Sequence, residues 1–336
     1  MAAGLGTRLR PLTYEVPKPM VPVGNRPVFE LILRLLSGQG FTEVVSNLHW
    51  FPDTIRDRIG DGSSLGVELT YSYEEELLGT AGGVRNVREY FGSDPFVVMA
   101  GDALTDVDLR ALAAAHEAHD GLATLAVKRV ANTREYGVIV TGADGRIQGF
   151  QEKPDPAEAL SDLANCMIYA FSPEVFDYFP EELVVDFALD VFPALLEHDV
   201  PFYVHETDAY WNDVGSPPEY LQGNLDVALG RVGVEPGGEL VEADADPASP
   251  GASPLGEARA GLPADCEVNG RVLVGPGVRV GSGVRIDGPA VIGDGAVVGD
   301  GARIKGSVLL PQAEVPAGCY LVGAIAGRSG SLVQSH

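Results

Sequence analysis

A six-residue period constrains this chain more than any other feature. Val268, Val274, Val280, Ile286, Ile292, Val298, Ile304 and Leu310 follow one another at intervals of six. Val272, Val278, Val284, Ala290, Ala296, Ala302 and Val308 keep a second register two residues earlier, and Gly275, Gly281, Gly293 and Gly299 each follow a larger aliphatic. A helix repeats near 3.6 residues and a half-buried strand at 2, so neither produces this spacing. One buried aliphatic per hexad suits a triangular coil in which each hexad forms one face and glycine helps turn the corners. The repeat predicts a left-handed parallel β-helix over 262–336. Many such coils are acyltransferases that use a histidine base. Here His49, His116, His119, His198 and His205 all precede the repeat and His336 ends the chain. The predicted role of the tail is therefore oligomerisation or regulation.

Before the repeat the texture differs. Strand-like runs at 43–48, 67–73, 95–100, 122–128, 136–141, 147–152, 166–171 and 202–206 alternate with helix-period runs at 28–36, 81–90, 109–119 and 187–196. That alternation predicts an α/β fold with a mostly parallel mixed sheet. Residues 231–261 are rich in Pro, Ala, Gly and acid with few large apolar side chains, and read as a linker. The expected organisation is 1–230, a linker at 231–261, and 262–336.

Charge narrows the partners. Lys+Arg 23 against Asp+Glu 48 gives a formal charge of −25, which argues against nucleic acid or an anionic membrane as the main partner. Any anionic substrate must meet local positive charge. Only four lysines occur, and two of them, Lys18 and Lys153, sit beside prolines in "VPKPM" and "QEKPD"; Lys128 and Lys305 match no motif and are expected in solvent. Cys166, Cys266 and Cys319 are odd in number and far apart, which fits neither a disulfide framework nor a zinc site. No opening signal-like segment or membrane-length apolar run is present, so a cytoplasmic location is expected.

The opening "MAAGLGTRLRP" offers Gly4 and Gly6 with Arg8 close behind. Backbone N–H groups of such a turn can surround a polyphosphate. Pro11 interrupts any following helix, so this is not a dinucleotide fingerprint, and it lacks the Gly-Lys-Ser/Thr of a Walker loop. The longer stretch "GLGTRLRPLTYEVPKPMVPVGNRP" resembles the signature loop of sugar-nucleotide pyrophosphorylases. "EEELLGTAGGV", "VMAGDAL", "EYGVIV", "FQEKP", "NCMIYAF" and "YWNDVGSPPEY" follow in that family's order, over residues 1 to about 230. The repeats resemble the β-helical tail of several members.

The resemblance implies an enzyme of a Rossmann-like nucleotidyltransferase fold, joining a nucleoside triphosphate to a sugar 1-phosphate with release of pyrophosphate. It implies Mg²⁺ held by Asp102 and Asp213, with Gly4, Gly6 and Thr7 against the nucleotide phosphates and Arg8 and Lys18 supplying charge. Lys153 would grip the sugar phosphate. Glu152 and Asn165 would contact sugar hydroxyls, with Gly137 giving close backbone approach. Thr80 and Gly82 would face the nucleobase, Thr80 being also a candidate helix N-cap. The texture most resembles mannose-1-phosphate guanylyltransferases, favouring GTP. Thymidylyl-, uridylyl- and adenylyltransferases for glucose 1-phosphate share most of it, and relatives acting on modified sugar phosphates remain open. The alternative of another class is a non-catalytic regulatory subunit, which would be expected to lose the charged residues present here. A homo-oligomer through the β-helix is expected. Relatives place a short apolar strand before the first loop, so the natural start is expected a few codons upstream of Met1.

Overall fold

The computed structural model describes residues 1–14, 16–243, 261–328 and 332–334. The chain divides into two compact units. One comprises Met1–Leu5, Val16–Pro19 and Ile32–Asp213, the other Gly6–Glu15, Met20–Leu31 and Val214–His336.

Short 3₁₀ turns at Thr7–Leu9 and Leu12–Tyr14 and a small hairpin, β1 (Pro22–Val23) with β2 (Arg26–Pro27), precede α1 (Val28–Gly38). The α/β unit continues with β3 (Glu43–Leu48), α2 (Pro52–Ile59), β4 (Glu68–Tyr73), α3 (Gly79–Arg85), α4 (Arg88–Phe91), β5 (Phe96–Met99) and β6 (Leu104–Thr105). Then come α5 (Leu109–Glu117), β7 (Ala123–Arg129), β8 (Gly137–Thr141), β9 (Ile147–Glu152), β10 (Leu163–Phe171), α6 (Phe192–Glu197), β11 (Tyr203–Glu206) and β12 (Trp211–Asn212). Every predicted strand is present, β10 beginning earlier than predicted.

Two predicted helices are divided. Residues 81–90 split between α3 and α4, because Val87 N turns back three residues to Val84 O and tightens the last turn. Residues 187–196 begin as a π turn over Phe187–Val191. There the Asp186 side chain accepts from Ala188 N and Leu189 N before α6 starts.

The sheet is mixed, with more antiparallel pairing than alternation alone predicts. β11 and β7 run parallel, whereas β10 is antiparallel to β5, β7 and β8, and β3 and β4 pair parallel as a separate two-stranded sheet. The link between β8 and β9 is too short for a crossover, so they form an antiparallel hairpin. Around the larger sheet the core sets a cluster of rings among aliphatic side chains. Phe187 stacks 5.3 Å from Phe171 and packs edge-on to Tyr169, while Phe192 stacks 6.1 Å from Phe202.

In the second unit α7 (Pro217–Leu229) carries a Ser216 cap whose hydroxyl accepts from Glu219 N, and it packs against the repeat strands and β1. β13 (Glu239–Ala243) corrects part of the expected linker. It pairs antiparallel with β14 (Glu267–Val274) and buries Val241, an apolar residue at an inward position that composition alone conceals. Residues 244–260 of that stretch lie outside the described residues.

The coil then runs through β15 (Arg279–Val280), β16 (Arg285–Asp287), β17 (Ala290–Ile292), β18 (Val297–Val298), β19 (Arg303–Lys305), β20 (Val308–Leu309), β21 (Glu314–Val315), β22 (Tyr320–Val322) and β23 (Ala324–Ala326), with β24 (Leu332–Gln334) antiparallel on β23. Three parallel ladders form its faces: β14, β16, β19 and β22; β14, β17, β20 and β23; and β15, β18 and β21. Val268, Val274, Ile286, Ile292, Val298 and Ile304 point inward as predicted.

Leu310 does not. Ile292 pairs with Leu309, which is buried in its place. The corner after Ile304 is one residue shorter than the corner after Ile286, and the buried Ser307 fills it by donating to Lys305 O. The corner glycines also act differently from the prediction. A Cβ at Gly293 would lie 2.5 Å from Leu310 C and 2.6 Å from Leu309 O, so glycine there permits the next coil to stack. Backbone reversal falls to a second glycine, such as Gly295 with φ +65°. No helix among the described residues is long and apolar enough to cross a membrane.

Candidate active site

β5 ends in the sheet and delivers Asp102. Ala100 N donates to Met167 O at 3.1 Å, so the segment leaving β5 follows β10 toward Asn165. β12 pairs antiparallel with β6, Asn212 opposite Leu104, which returns Asp213 toward the same place. Lys18 closes the group. Its ammonium lies 3.0 Å from Asp102 Oδ2 and donates to Asp213 O at 2.7 Å, with the lysine only 8% exposed. A desolvated ammonium needs such partners. Lys18, Asp102 and Asp213, chosen from three separate motifs, thus converge in the α/β unit. Among the described residues no cluster of three or more His, Cys, Asp or Glu has metal-binding geometry.

The segment before Asp213 is held by residues that the motifs do not mark. Tyr210 N donates to Asp106 Oδ1 at 2.7 Å, Thr105 Oγ1 donates to Tyr210 O at 2.8 Å, and the Lys128 ammonium donates to Ala209 O. Lys128 is therefore a structural tether rather than a solvated lysine, since its aliphatic stem lies in β7 where it reaches that carbonyl. The scarcity of lysine was the one signal that could have singled it out. Lys305 is exposed, as expected.

A second group gathers at the ends of three strands. Gly137 of β8 pairs with Glu152 of β9, and a Cβ on Gly137 would lie 3.2 Å from Glu152 Oε2. Lys153 takes a left-handed φ of +46°, held by its N–H donating to Tyr136 O, with its ammonium 3.7 Å from Glu152 Oε1. Ala164 pairs with Val138, which sets Asn165 beside Gly137. Asn165 Oδ1 accepts from Met167 N at 2.9 Å and Nδ2 donates to Tyr169 OH at 3.1 Å, across a β10 bulge where Met167 has φ +55°. One donor and one acceptor of the amide remain available. Burial pushes the neighbouring Cys166 thiol up to about 12, which removes it as a nucleophile.

Thr80 is not a helix cap. Leu78 holds that position, and the Thr80 hydroxyl instead donates to Asp186 Oδ2 at 2.8 Å and accepts from Phe187 N at 2.9 Å. Gly82 lies buried where a Cβ would meet Leu183 O at 3.1 Å.

Gly4 is exposed, and a Cβ there would meet nothing within 4 Å. Space beside its backbone is what a phosphate-cradling turn needs. Gly6 takes φ +60°, its carbonyl accepting from Thr13 Oγ1 at 2.7 Å. Gly6, Thr7 and Arg8 belong to the second compact unit. Met1 is bonded along β5, its amine donating to Met99 O at 2.8 Å and its carbonyl accepting from Gly101 N at 2.6 Å.

Residues 1–229 match the family model described as nucleotidyl transferase, and residues 265–335 match one described as GMPPB C-terminal domain. A UTP–glucose-1-phosphate uridylyltransferase of Synechocystis sp. is 40% identical over 235 residues, covering 66% of this chain and 61% of the relative's length. A mannose-1-phosphate guanylyltransferase of Mycobacterium tuberculosis is 33% identical over 286 residues, covering 83% of this chain and 77% of that protein. A solved UDP-glucose pyrophosphorylase from Acinetobacter baumanii shares the fold, with a TM-score of 0.58 and 20% identity over 68% of this chain and 92% of its own. With more than half its length matched by that one family model, the chain belongs to the nucleotidyl transferase family.

Proposed function

We propose that this protein transfers a nucleotidyl group from a nucleoside triphosphate to a sugar 1-phosphate and releases pyrophosphate. The convergence of the Asp102 carboxylate and the Asp213 main-chain carbonyl on the Lys18 ammonium carries the reading. In the reaction an oxygen of the sugar phosphate attacks the α-phosphorus, the bond from that phosphorus to its bridging oxygen breaks, and pyrophosphate leaves with the electron pair. Both reactants are anions, so positioning and charge neutralisation dominate the barrier. Lys18 and Arg8 supply charge along the triphosphate, and the open backbone at Gly4 together with Gly6 and Thr7 lies against it. Lys153 grips the sugar phosphate while Glu152 and the spare donor and acceptor of Asn165 contact hydroxyls. Thr80 and Gly82 shape the nucleobase side. The hard oxygen donors of Asp102 and Asp213 fit Mg²⁺, which would neutralise phosphate charge there and keep several waters.

GTP and mannose 1-phosphate are the favoured substrates, supported by the length of the match to the mycobacterial guanylyltransferase and by the match of the tail. The catalytic domain would be 1–230, with a homo-oligomer formed through the β-helix of 262–336 in the cytoplasm. Pyrophosphate release over a grid of NTPs and sugar 1-phosphates with Mg²⁺ tests the reaction and its substrates. The largest signal is expected with GTP and mannose 1-phosphate. A maximum with UTP and glucose 1-phosphate would move the substrate to that of the cyanobacterial relative. Silence across the grid would leave the non-catalytic regulatory subunit. Asp102→Asn is expected to lower turnover at least about a hundredfold while the fold persists.

A further inference from the structure

Asn47 and Glu74 have no role in the chemistry above, yet they join two segments that do. Glu74 directly follows β4 and is 3% exposed. Both its carboxylate oxygens accept hydrogen bonds, Oε1 from Asn47 Nδ2 at 2.7 Å and Oε2 from Leu78 N at 3.1 Å. Asn47 Oδ1 in turn accepts from Ala2 N at 2.8 Å. The Glu74 backbone is fixed as well, its N–H donating to Leu48 O at 2.8 Å and its carbonyl lying 2.9 Å from His49 Nδ1. Gly83 of α3 closes over the pair, since a Cβ there would lie 2.5 Å from Glu74 Oε1 and 2.6 Å from Asn47 Nδ2.

The two backbone amides fix the direction of every bond. Ala2 N–H and Leu78 N–H can only donate. Asn47 must therefore present Oδ1 to Ala2 and its NH₂ to Glu74, and Glu74 must accept at both oxygens. Only an ionised carboxylate offers two acceptors and no donor. The line thus runs from the root of the loop holding Gly4, through β3 and β4, to the segment holding Thr80 and Gly82.

We propose that Asn47 and Glu74 are positioning residues that set the residue 2–5 and 78–83 segments as one body and thereby the affinity for the nucleoside triphosphate. The kinetic half of this inference rests on the nucleotidyl-transfer reading; the structural half does not.

Glu74→Gln replaces one acceptor by a donor, which must face either the Asn47 amide or Leu78 N–H and leaves a buried donor unmet. The double variant N47D/E74Q restores the polarity. Its carboxylate at position 47 would accept from Ala2 N–H and from the NH₂ of the amide at position 74. The oxygen of that amide would accept from Leu78 N–H, at unchanged net charge. Amide hydrogen exchange and steady-state kinetics are measured on both. E74Q is expected to speed exchange in the 2–6 and 78–83 segments together. It should raise KM for the NTP about tenfold or more, the scale of one unsatisfied buried donor, with KM for the sugar phosphate unchanged. N47D/E74Q should return exchange and KM toward wild type. If E74Q does not fold, Asn47→Ala, which leaves Ala2 N–H and Glu74 Oε1 unmet while keeping the bond from Leu78 N–H, should move both segments in the same direction. Faster exchange in only one segment, a parallel rise in both KM values, or no recovery in the double variant would overturn the proposal. A wild-type protein that releases no pyrophosphate would sink the functional reading, while the exchange comparison would still decide the relay.

Discussion

In the repeat unit Ile286 pairs between Val268 and Ile304, each three hexads away, so one column is written by one period. Phe187 of the α/β unit instead contacts Tyr169, Phe171, Phe179 and Phe192, at separations of 18, 16, 8 and 5 residues that no single period generates. The coil fills its interior with Val, Ile, Leu and Ala on short ladders, and after residue 262 its only aromatic is Tyr320, at an exposed position. The α/β unit sets a cluster of interlocked rings among Val, Leu, Ile and Ala side chains around its larger mixed sheet. A periodic core needs the right size at each step, whereas an aromatic core needs the right shape at each contact.

The sharpest way to break this contrast is to delete one ring. Phe187→Ala is expected to cost about 3–5 kcal/mol in the α/β unit, read as a lower midpoint in chemical denaturation. A loss no larger than that of a coil aliphatic would remove the distinction. Next comes the coil's own weak point, its stacking distance. Gly293→Val should destabilise the repeat unit by up to about 3 kcal/mol because the backbone of Leu309 and Leu310 cannot move aside.

Acid separates the units by chemistry. His116 is buried, bonded to Thr124 and Ser172, and burial pushes its ring down to about 4, with His119 beside it adding to the effect. A neutral histidine in the fold and a protonatable one near 6.5 in the unfolded chain make stability complete above pH 6.5. It is then lost progressively as pH falls toward 4, roughly 2 kcal/mol by pH 5. The coil has no histidine among residues 262–335 and should not share that slope. His116→Gln should flatten it; an unchanged slope would exclude His116 as the source. The smallest effect belongs to Gly4→Ala, which should leave stability within about 0.5 kcal/mol because nothing crowds that position. Gly6→Ala, forced to φ +60°, should cost about 1 kcal/mol, and equal losses at the two positions would undo the distinction.

Much of the grouping of the candidate residues could be read before any geometry. Lys18, Asp102 and Asp213 were marked by three motifs, and the Asp102 carboxylate and Asp213 carbonyl meet the Lys18 ammonium, while Gly137, Glu152, Lys153 and Asn165 gather at neighbouring strand ends. What escaped was the support around them. Asn47 sits in ordinary-looking strand sequence, Glu74 opens a motif read only for Thr80 and Gly82, and Lys128 and Asp106 tether the approach to Asp213 without belonging to any motif. Such residues act through a partner far along the chain, and one sequence carries no mark of who that partner is.

By itself the sequence determined the coil, since a six-residue period has only one way to bury one aliphatic per face. It also marked the main strands and the layered α/β class before it, because alternating strand and helix patterns must bury their apolar faces against one another. Only the tertiary structure decided which strands run antiparallel and that β13 forms within the acidic stretch. It alone moved the inward position from Leu310 to Leu309 and turned the Thr80 hydroxyl toward Asp186. Each of these depends on backbone groups from distant segments finding partners at hydrogen-bonding distance, and local pattern cannot specify that choice.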